Sequence, residues 1–268
     1  MATPFEEVVE DLAEEQRALE RVLERMKPED FEIRTHAPGW AARDQVAHLA
    51  HFDEAATLAI VDPESFATYF RQPQNTEEAY LARARQLSDA ALLEHWRKNA
   101  AALRDAAAGL DPSRRVPWAG PAMSGVSFLT ARLMETWSHG LDVVDVVDVV
   151  GIDRPDTDRL RHVAFLGVRA RPYSYSNRGM EPTRTPIRVS LEAPSGARWE
   201  LGDDTDENVV RGTASDFCQV VTRRRHIADS ELEVVGPVAE EWMGIAQAFA
   251  GPPGAGRQPG EFPKRSKS

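Results

Sequence analysis

Glu135 and His139 stand four residues apart in a segment whose apolar residues Phe128, Leu129, Leu133, Trp137 and Leu141 recur at helical spacing. On an α-helix that spacing puts a carboxylate oxygen and an imidazole nitrogen on one face, a single turn apart, where both can bind one metal ion. The same pair also serves as an ordinary surface contact, so spacing alone leaves both readings open. Leu133, Trp137 and Leu141 mark the packed flank, which places Glu135, His139 and Asp142 on a neighbouring face. A charged group partly buried there needs a partner, and a cation is one. In Asp44-Gln-Val-Ala-His48-Leu-Ala-His51-Phe-Asp53, the residues Val46, Leu49 and Ala50 face the core and His48 stands at its edge. It is either a hydrogen-bonded helix histidine or a ligand. Asp44 is spaced to orient its second ring nitrogen, the usual support for a ligating imidazole. His51, one turn on, is a supporting group or a solvated side chain, and Asp142 is a second supporting candidate.

The remaining candidates are more ordinary. Arg223, Arg224 and Arg225 end a predicted helix that begins near Ser215. An arginine fork there can hold a carboxylate, or the run can simply complement the helix macrodipole. Cys218 lies on an apolar stripe with Phe217 and Val221 and reads as buried and structural. Trp40, Trp118 and Trp137 read as core or pocket wall. His36, His95, His162 and His226 have no partner spacing and are assigned to structure.

Elements of two kinds must position these groups. Thr3, Pro4 and Glu6 form a capping box with proline at the first helical position, and the apolar pattern from Phe5 to Met26 then runs to Lys27-Pro28. Pro38-Gly39 marks a turn. A second helix is expected from Ala42 to Val61, stopping at Asp62-Pro63, and a third from Asn75 to about Gln86. A fourth is capped by Ser88, carries Leu92, Leu93, Trp96, Ala100 and Leu103, and ends by Asp111-Pro112. Val116 to Ser124 is expected to be irregular because of Pro117, Gly120 and Pro121. Ser124 or Ser127 then opens the helix of Glu135 and His139, expected to reach about Val149. Four long helices with few strand signals read as an antiparallel bundle over residues 1–150. After Gly151 the pattern becomes α+β, over 151–250. A helix is expected from Thr157 to Arg171, then a linker rich in Pro, Ser and Arg. A hairpin follows around Ser195-Gly196, then a strand at Val209, the Ser215–Arg224 helix, a strand at Leu232 and a last helix from Pro237 to Phe249. The stretch 251–268, rich in Pro, Gly and basic residues, reads as a disordered tail.

Composition narrows the function classes. The 268 residues carry 32 basic and 43 acidic side chains, a formal net charge of −11 that disfavours nucleic acid as a partner. The single cysteine excludes an intramolecular disulfide and a thiolate-cluster metal site. The acidic start lacks signal-peptide features, and no apolar run reaches the roughly 18 residues of a membrane span. The expectation is a cytoplasmic soluble protein that engages neither membrane nor nucleic acid.

The segments Ala37-Pro-Gly-Trp-Ala-Ala-Arg-Asp-Gln-Val-Ala-His48-Leu and Arg132-Leu-Met-Glu135-Thr-Trp-Ser-His139-Gly-Leu-Asp142 resemble the mycothiol-dependent maleylpyruvate isomerase family. That family lies within the DinB/YfiT-like superfamily of metal-binding four-helix bundles. Its signature is a histidine on the second bundle helix and a Glu-x-x-x-His pair on the last. All three positions match, and the resemblance implies His48, Glu135 and His139 as metal ligands. It covers residues 4–150 well and 150–250 more weakly, where it implies a small domain resembling sterol carrier proteins. It also implies an arginine near Arg224 that steers an anionic substrate group, and mycothiol as the cosubstrate.

Two histidines and one carboxylate leave a coordination position free, the arrangement of a catalytic rather than a structural zinc site. The same nitrogen and oxygen donors also admit Ni2+, Fe2+ or Mn2+. A thiol at the free position is deprotonated at neutral pH. Since Cys218 is the only cysteine, the natural thiol is external. The reading is a metal-dependent isomerase or S-transferase that uses a low-molecular-weight thiol on a small electrophile. Two alternatives stand beside it: a non-catalytic protein binding metal and a small ligand, and a metal-dependent hydrolase with His51 or Asp142 as base.

Overall fold

The computed structural model describes residues 3–118, 120–147, 154–254 and 256–261. Its contacts divide the chain into two compact units, Met1–Arg154 and Pro155–Ser268.

The first unit is helical. Helix α1 (Pro4–Leu23) starts with the expected capping box, in which Thr3 accepts from the Glu6 amide and Glu6 accepts from the Thr3 amide. A single turn, α2 (Pro28–Phe31), precedes α3 (Ala42–Val61), which has the expected bounds. Asp62-Pro63 ends α3 but at once starts a further helix, α4 (Pro63–Tyr69), with the Asp62 carboxylate as its cap and Pro63 at the first helical position. The cap of α5 (Glu77–Ala84) is Thr76 rather than Asn75, because Pro73–Asn75 forms its own 3-10 turn. Ser88 caps α6 (Asp89–Ala108) as expected.

The segment read as irregular is instead a hairpin of β1 (Arg115–Trp118) and β2 (Gly120–Ser124). Proline rules out a central strand but not an isolated two-stranded ribbon, and the ladder is broken by a bulge between Val116 and Trp118, where Pro117 needs no ladder donor. Ser124 accepts from the Ser127 amide at the head of α7 (Gly125–Val147). The expected end of this helix near Val149 lies outside the described residues. Helices α3 and α6, α1 and α7, and α3 and α7 pack on one another. Leu19, Val46, Leu49, Leu92, Trp96 and Val143 are fully or nearly fully buried in that packing. A methyl group at Gly125 would be tight, 3.0 Å from the Phe5 ring and 3.3 Å from Leu110, so either side chain would have to give by a few tenths of an ångström.

The second unit is a small sheet with helices. Helix α8 (Leu160–Arg169) is followed by α9 (Arg171–Ser176), so part of the expected linker is helical, with Pro172 in its first turn. Strands β3 (Arg188–Glu192) and β4 (Arg198–Gly202) form the expected antiparallel hairpin. Strand β5 (Val209–Thr213) runs parallel to β3, and β6 (Glu233–Val235) closes the order β4-β3-β5-β6. Helix α10 (Ala214–Val221) stops earlier than expected because Arg223 adopts a left-handed φ of 61°. The amides of Arg223, Arg224 and Arg225 turn back onto the carbonyls of Val220 and Gln219, which satisfies acceptors at the helix end. Helix α11 (Pro237–Ile245) likewise ends before Phe249, as Ala246 is extended. In the stretch read as a tail, Arg223 and Asn177 donate to the carbonyls of Gly254 and Gly251, and the Gly260 amide donates to Asp229. Residues 262–268 of that stretch lie outside the described residues.

Candidate metal centre

Helix α3 contributes His48, and α7 contributes Glu135 and His139 one turn apart. One ligand atom from each of these three residues lies within 4.8 Å of the other two. The Glu135 Oε2 atom is 3.6 Å from His48 Nε2 and 3.1 Å from His139 Nε2. The imidazole centroids are 4.2 Å apart. All three side chains are partly buried, between 12% and 21% exposed, so the cluster is reachable by a small molecule yet poor in solvating water. Burial alone would raise the Glu135 pKa. The hydrogen bonds and charge of His139 and His48 overcome that and hold the carboxyl well below its ordinary range.

The second nitrogen of each histidine is committed elsewhere. The Thr35 hydroxyl donates to the carbonyl of Trp40, and Thr35 Oγ1 therefore accepts from Gln45 Nε2 at 2.9 Å. That fixes the Gln45 amide with its oxygen toward His139 Nδ1, 2.6 Å away. The nitrogen must donate, which leaves the lone pair of a neutral His139 on Nε2, facing Glu135. A carboxylate oxygen and a ring lone pair at 3.1 Å repel one another unless a cation joins them, either a second proton on the imidazole or a metal ion. The donor set therefore fits a divalent ion on the chemistry of the residues present. His48 Nδ1 lies 3.1 Å from the Tyr80 hydroxyl. Burial, with the charges of Glu77, Asp44 and Glu135, pushes the Tyr80 pKa well above its ordinary value and keeps that hydroxyl protonated.

Aromatic rings wall the cluster. Trp40 lies 5.3 Å from the His48 ring and stacks at 6.2 Å on His139, while Phe52 is 4.4 Å from His48. Trp40 thus packs against the rings of both histidines. Trp118 sits among Phe66, Phe70 and Phe128, and Trp137 is buried.

Asp44 does not support His48. It caps α3 by accepting from the Ala41 amide and pairs through both oxygens with Arg85, so its carboxylate is committed at the helix start. Asp142 lies 3.8 Å from His139 Nδ1, beyond hydrogen-bond reach of the nitrogen that Gln45 occupies. Gln45 and Tyr80 are the supporting residues that the sequence did not single out. Gln45 lies three residues before His48, but nothing marked its neighbour Thr35, and Tyr80 arrives from α5.

His51 is buried, stacks on Tyr80 at 4.3 Å and lies 3.3 Å from the Tyr69 hydroxyl. Burial first, and then the charges of His48, Arg83, His95 and Arg132, lower its pKa from 6.5 to about 4. The folded state thus favours neutral His51. Its contribution is complete above the unfolded pKa and is lost as pH falls from about 6.5 to about 4, up to ~3 kcal/mol for this group. We expect His51→Phe to flatten the fall in stability across that window, read by urea denaturation at stepped pH. An unchanged slope would show that His51 is not the titrating group.

Arg224, in the second unit, is half-buried. It donates from Nη1 to the Thr222 carbonyl and lies 6.0 Å from the Phe249 ring centroid. Cys218 is fully buried, donates to the Leu160 carbonyl, and burial raises its pKa well above the ordinary thiol value. His36 and His95 are exposed, and His226 caps a 3-10 turn by accepting from the Ala228 amide.

Residues 12–144 match the family model of the mycothiol maleylpyruvate isomerase N-terminal domain, a span that contains all three clustered residues. The chain is 38% identical over 253 residues to uncharacterized proteins from two strains of Mycobacterium tuberculosis, covering 93% of this chain and 97% of each relative. Two crystal structures of mycothiol-dependent maleylpyruvate isomerase, one of a histidine-to-alanine mutant, superpose with TM-scores of 0.58 and 0.57. Each match covers 84% of this chain and 93% of the other at 19% identity, a likeness of fold. Among the described residues no helix is long and apolar enough to cross a membrane.

Proposed function

The chain belongs to the mycothiol maleylpyruvate isomerase family, and from that premise we propose a metal-dependent enzyme that uses mycothiol on a small electrophilic substrate. The first unit is read as a DinB-like four-helix bundle over 1–150 and the second as a sterol-carrier-like domain over 151–250. The observation that carries the reading is the convergence of His48, Glu135 and His139 on one point, with the Nδ1 atoms of both histidines held by Tyr80 and Gln45. These three residues would hold a divalent ion, zinc by preference and Ni2+, Fe2+ or Mn2+ by the same donor types, and such an ion would lower the pKa of a bound thiol toward neutrality. Gln45 keeps the His139 lone pair on Nε2, and Trp40 and Phe52 limit the water around the reacting sulfur.

As an isomerase, the thiolate sulfur adds to an activated cis double bond, and the new single bond rotates. The electron pair left beside the activating group then re-forms the double bond as trans and expels the same thiolate. As an S-transferase, the same sulfur displaces or adds to an electrophile and stays attached. Arg224 is assigned the steering of an anionic group on the substrate. What supports the thiol reading over hydrolysis is family membership. His51, the candidate base for a hydrolase, is stacked under Tyr80 and bonded toward Tyr69.

The test is mycothiol titrated into metal-loaded and chelator-treated protein by calorimetry. Binding to the loaded form alone, abolished by His48→Ala, is the expected result. Metal uptake without any thiol binding would overturn the thiol reading and favour hydrolysis or sequestration.

A further inference from the structure

Among the described residues, Arg223 alone combines a side chain with a left-handed φ. It follows the C-cap of α10, the position where glycine adopts that conformation without cost. An arginine placed there against its backbone preference points to a use for the side chain. That side chain lines a cavity of about 50 Å³ in the second unit, with Arg225, His226 and Arg257. The rest of the lining is apolar side chains and glycine, and none of it is acidic. The space suits a few waters or one tetrahedral oxyanion.

The donors around it are only partly used. Arg223 donates from Nη1 to the Gly254 carbonyl. Its Nε and Nη2 have no acceptor and no carboxylate partner among the described residues, yet neither atom is sealed from solvent. Burial, and then the charge of Arg178, lowers the Arg223 pKa. Arg225 is partly exposed and donates from Nη1 to the Arg224 carbonyl. His226 accepts from the Ala228 amide through Nδ1, which leaves Nε2 carrying the proton and able to donate. Arg257 comes from the stretch beyond α11, and burial lowers its pKa to about 10, with the charge of Glu261 opposing that shift. Glu261 accepts from the Gln258 amide and does not line the cavity. Three guanidinium groups around one small space repel one another, and an anion between them turns that repulsion into attraction.

We propose that this cavity is an oxyanion site, for inorganic phosphate or the phosphoryl end of a larger molecule, and that the bound anion clamps the stretch carrying Gly254 and Arg257 against the end of α10. Arginine meets a phosphate in geometry as well as in charge. Arg224 is not among the lining residues, and the site stands whether or not the thiol chemistry above is correct.

Inorganic phosphate, titrated by calorimetry into the full chain at fixed ionic strength, tests it. Phosphate is expected to bind once per chain, and chloride to give no saturation. Arg223→Gly removes the guanidinium while suiting the left-handed backbone, so it should fold and should weaken phosphate by ~10-fold or more. Arg257→Gln, on the opposing stretch, should weaken it by a similar factor. Phosphate should also slow hydrogen exchange at the amides of 257–261 in the parent and in neither variant. Phenyl phosphate assigns the source: affinity equal to that of phosphate marks the end of a larger molecule, and a loss of ~10-fold or more marks the free ion. His48→Ala should bind phosphate as the parent does. Loss of binding in His48→Ala would place the phosphate at the metal centre and overturn the proposal. So would undiminished binding in Arg223→Gly and Arg257→Gln, or no saturable binding at all.

Discussion

Glu135→Ala is expected to lower bound divalent metal from stoichiometric to background and to reduce thiol-dependent turnover by about a thousand-fold or more, since the thiolate depends on the ion. The reasoning is geometric. Glu135 Oε2 is the atom common to both histidine contacts, at 3.1 and 3.6 Å, and without it two neutral imidazoles remain to hold the ion. Loss of a supporting group is graded instead. Gln45→Ala frees the His139 tautomer but leaves all three proposed ligands, so a loss of ~10–100-fold in metal affinity is expected. Metal analysis after dialysis, with turnover assayed in excess metal, distinguishes the two. Gln45→Ala should be rescued by added metal, and Glu135→Ala should not. Full metal retention in Glu135→Ala would remove the carboxylate from the ligand set and the central reading with it.

This site was unevenly legible in the sequence. A spacing of four on one apolar-striped helix suffices to pair Glu135 with His139, because helical geometry dictates where their side chains go. Joining them to His48 required packing of α3 against α7, which periodicity does not encode; there the family resemblance supplied what spacing left open. The support of His48 was misread for a definite reason. Asp44 lies one turn before it, but also three residues after Ala41 at the helix start, where the unsatisfied amide and the nearby Arg85 claim its carboxylate. Cap chemistry outcompeted ligand support. Tyr80 and Thr35 come from a separate helix and a connector, and no local pattern announces such partners. In the second unit, alternation marked the β3–β4 hairpin, and the short apolar runs at Val209 and Leu232 marked β5 and β6. The end of α10 was missed because the left-handed residue that stops it is Arg223, where glycine would have been the recognisable signal.

A second large effect is expected at Asp53 and Arg132, which are outside the candidate ligand set. Both are buried, Arg132 Nη2 is 2.9 Å from Asp53 Oδ1, and Gln16 of α1 bridges from Asp53 to Arg104 of α6. The network ties together all four long helices of the first unit, and its ion pair joins α3 to α7, the two that carry His48, Glu135 and His139. Burial pushes the Asp53 pKa up, and Arg132 only partly reverses it, as for a pair whose attraction does little more than offset desolvation. Asp53→Ala strands a buried guanidinium and should cost about 3–5 kcal/mol in urea denaturation, as should Arg132→Met through the stranded carboxylate. The double change Asp53→Leu with Arg132→Met removes both charges together and should be far less destabilising than the sum of the two single changes. Strict additivity would show that the pair does not act as a unit. If the pair sets the register of α3 against α7, the double variant should regain stability yet bind metal more weakly than the parent. Stability and metal affinity measured on the same variants therefore separate what the pair does for the fold from what it does for the site.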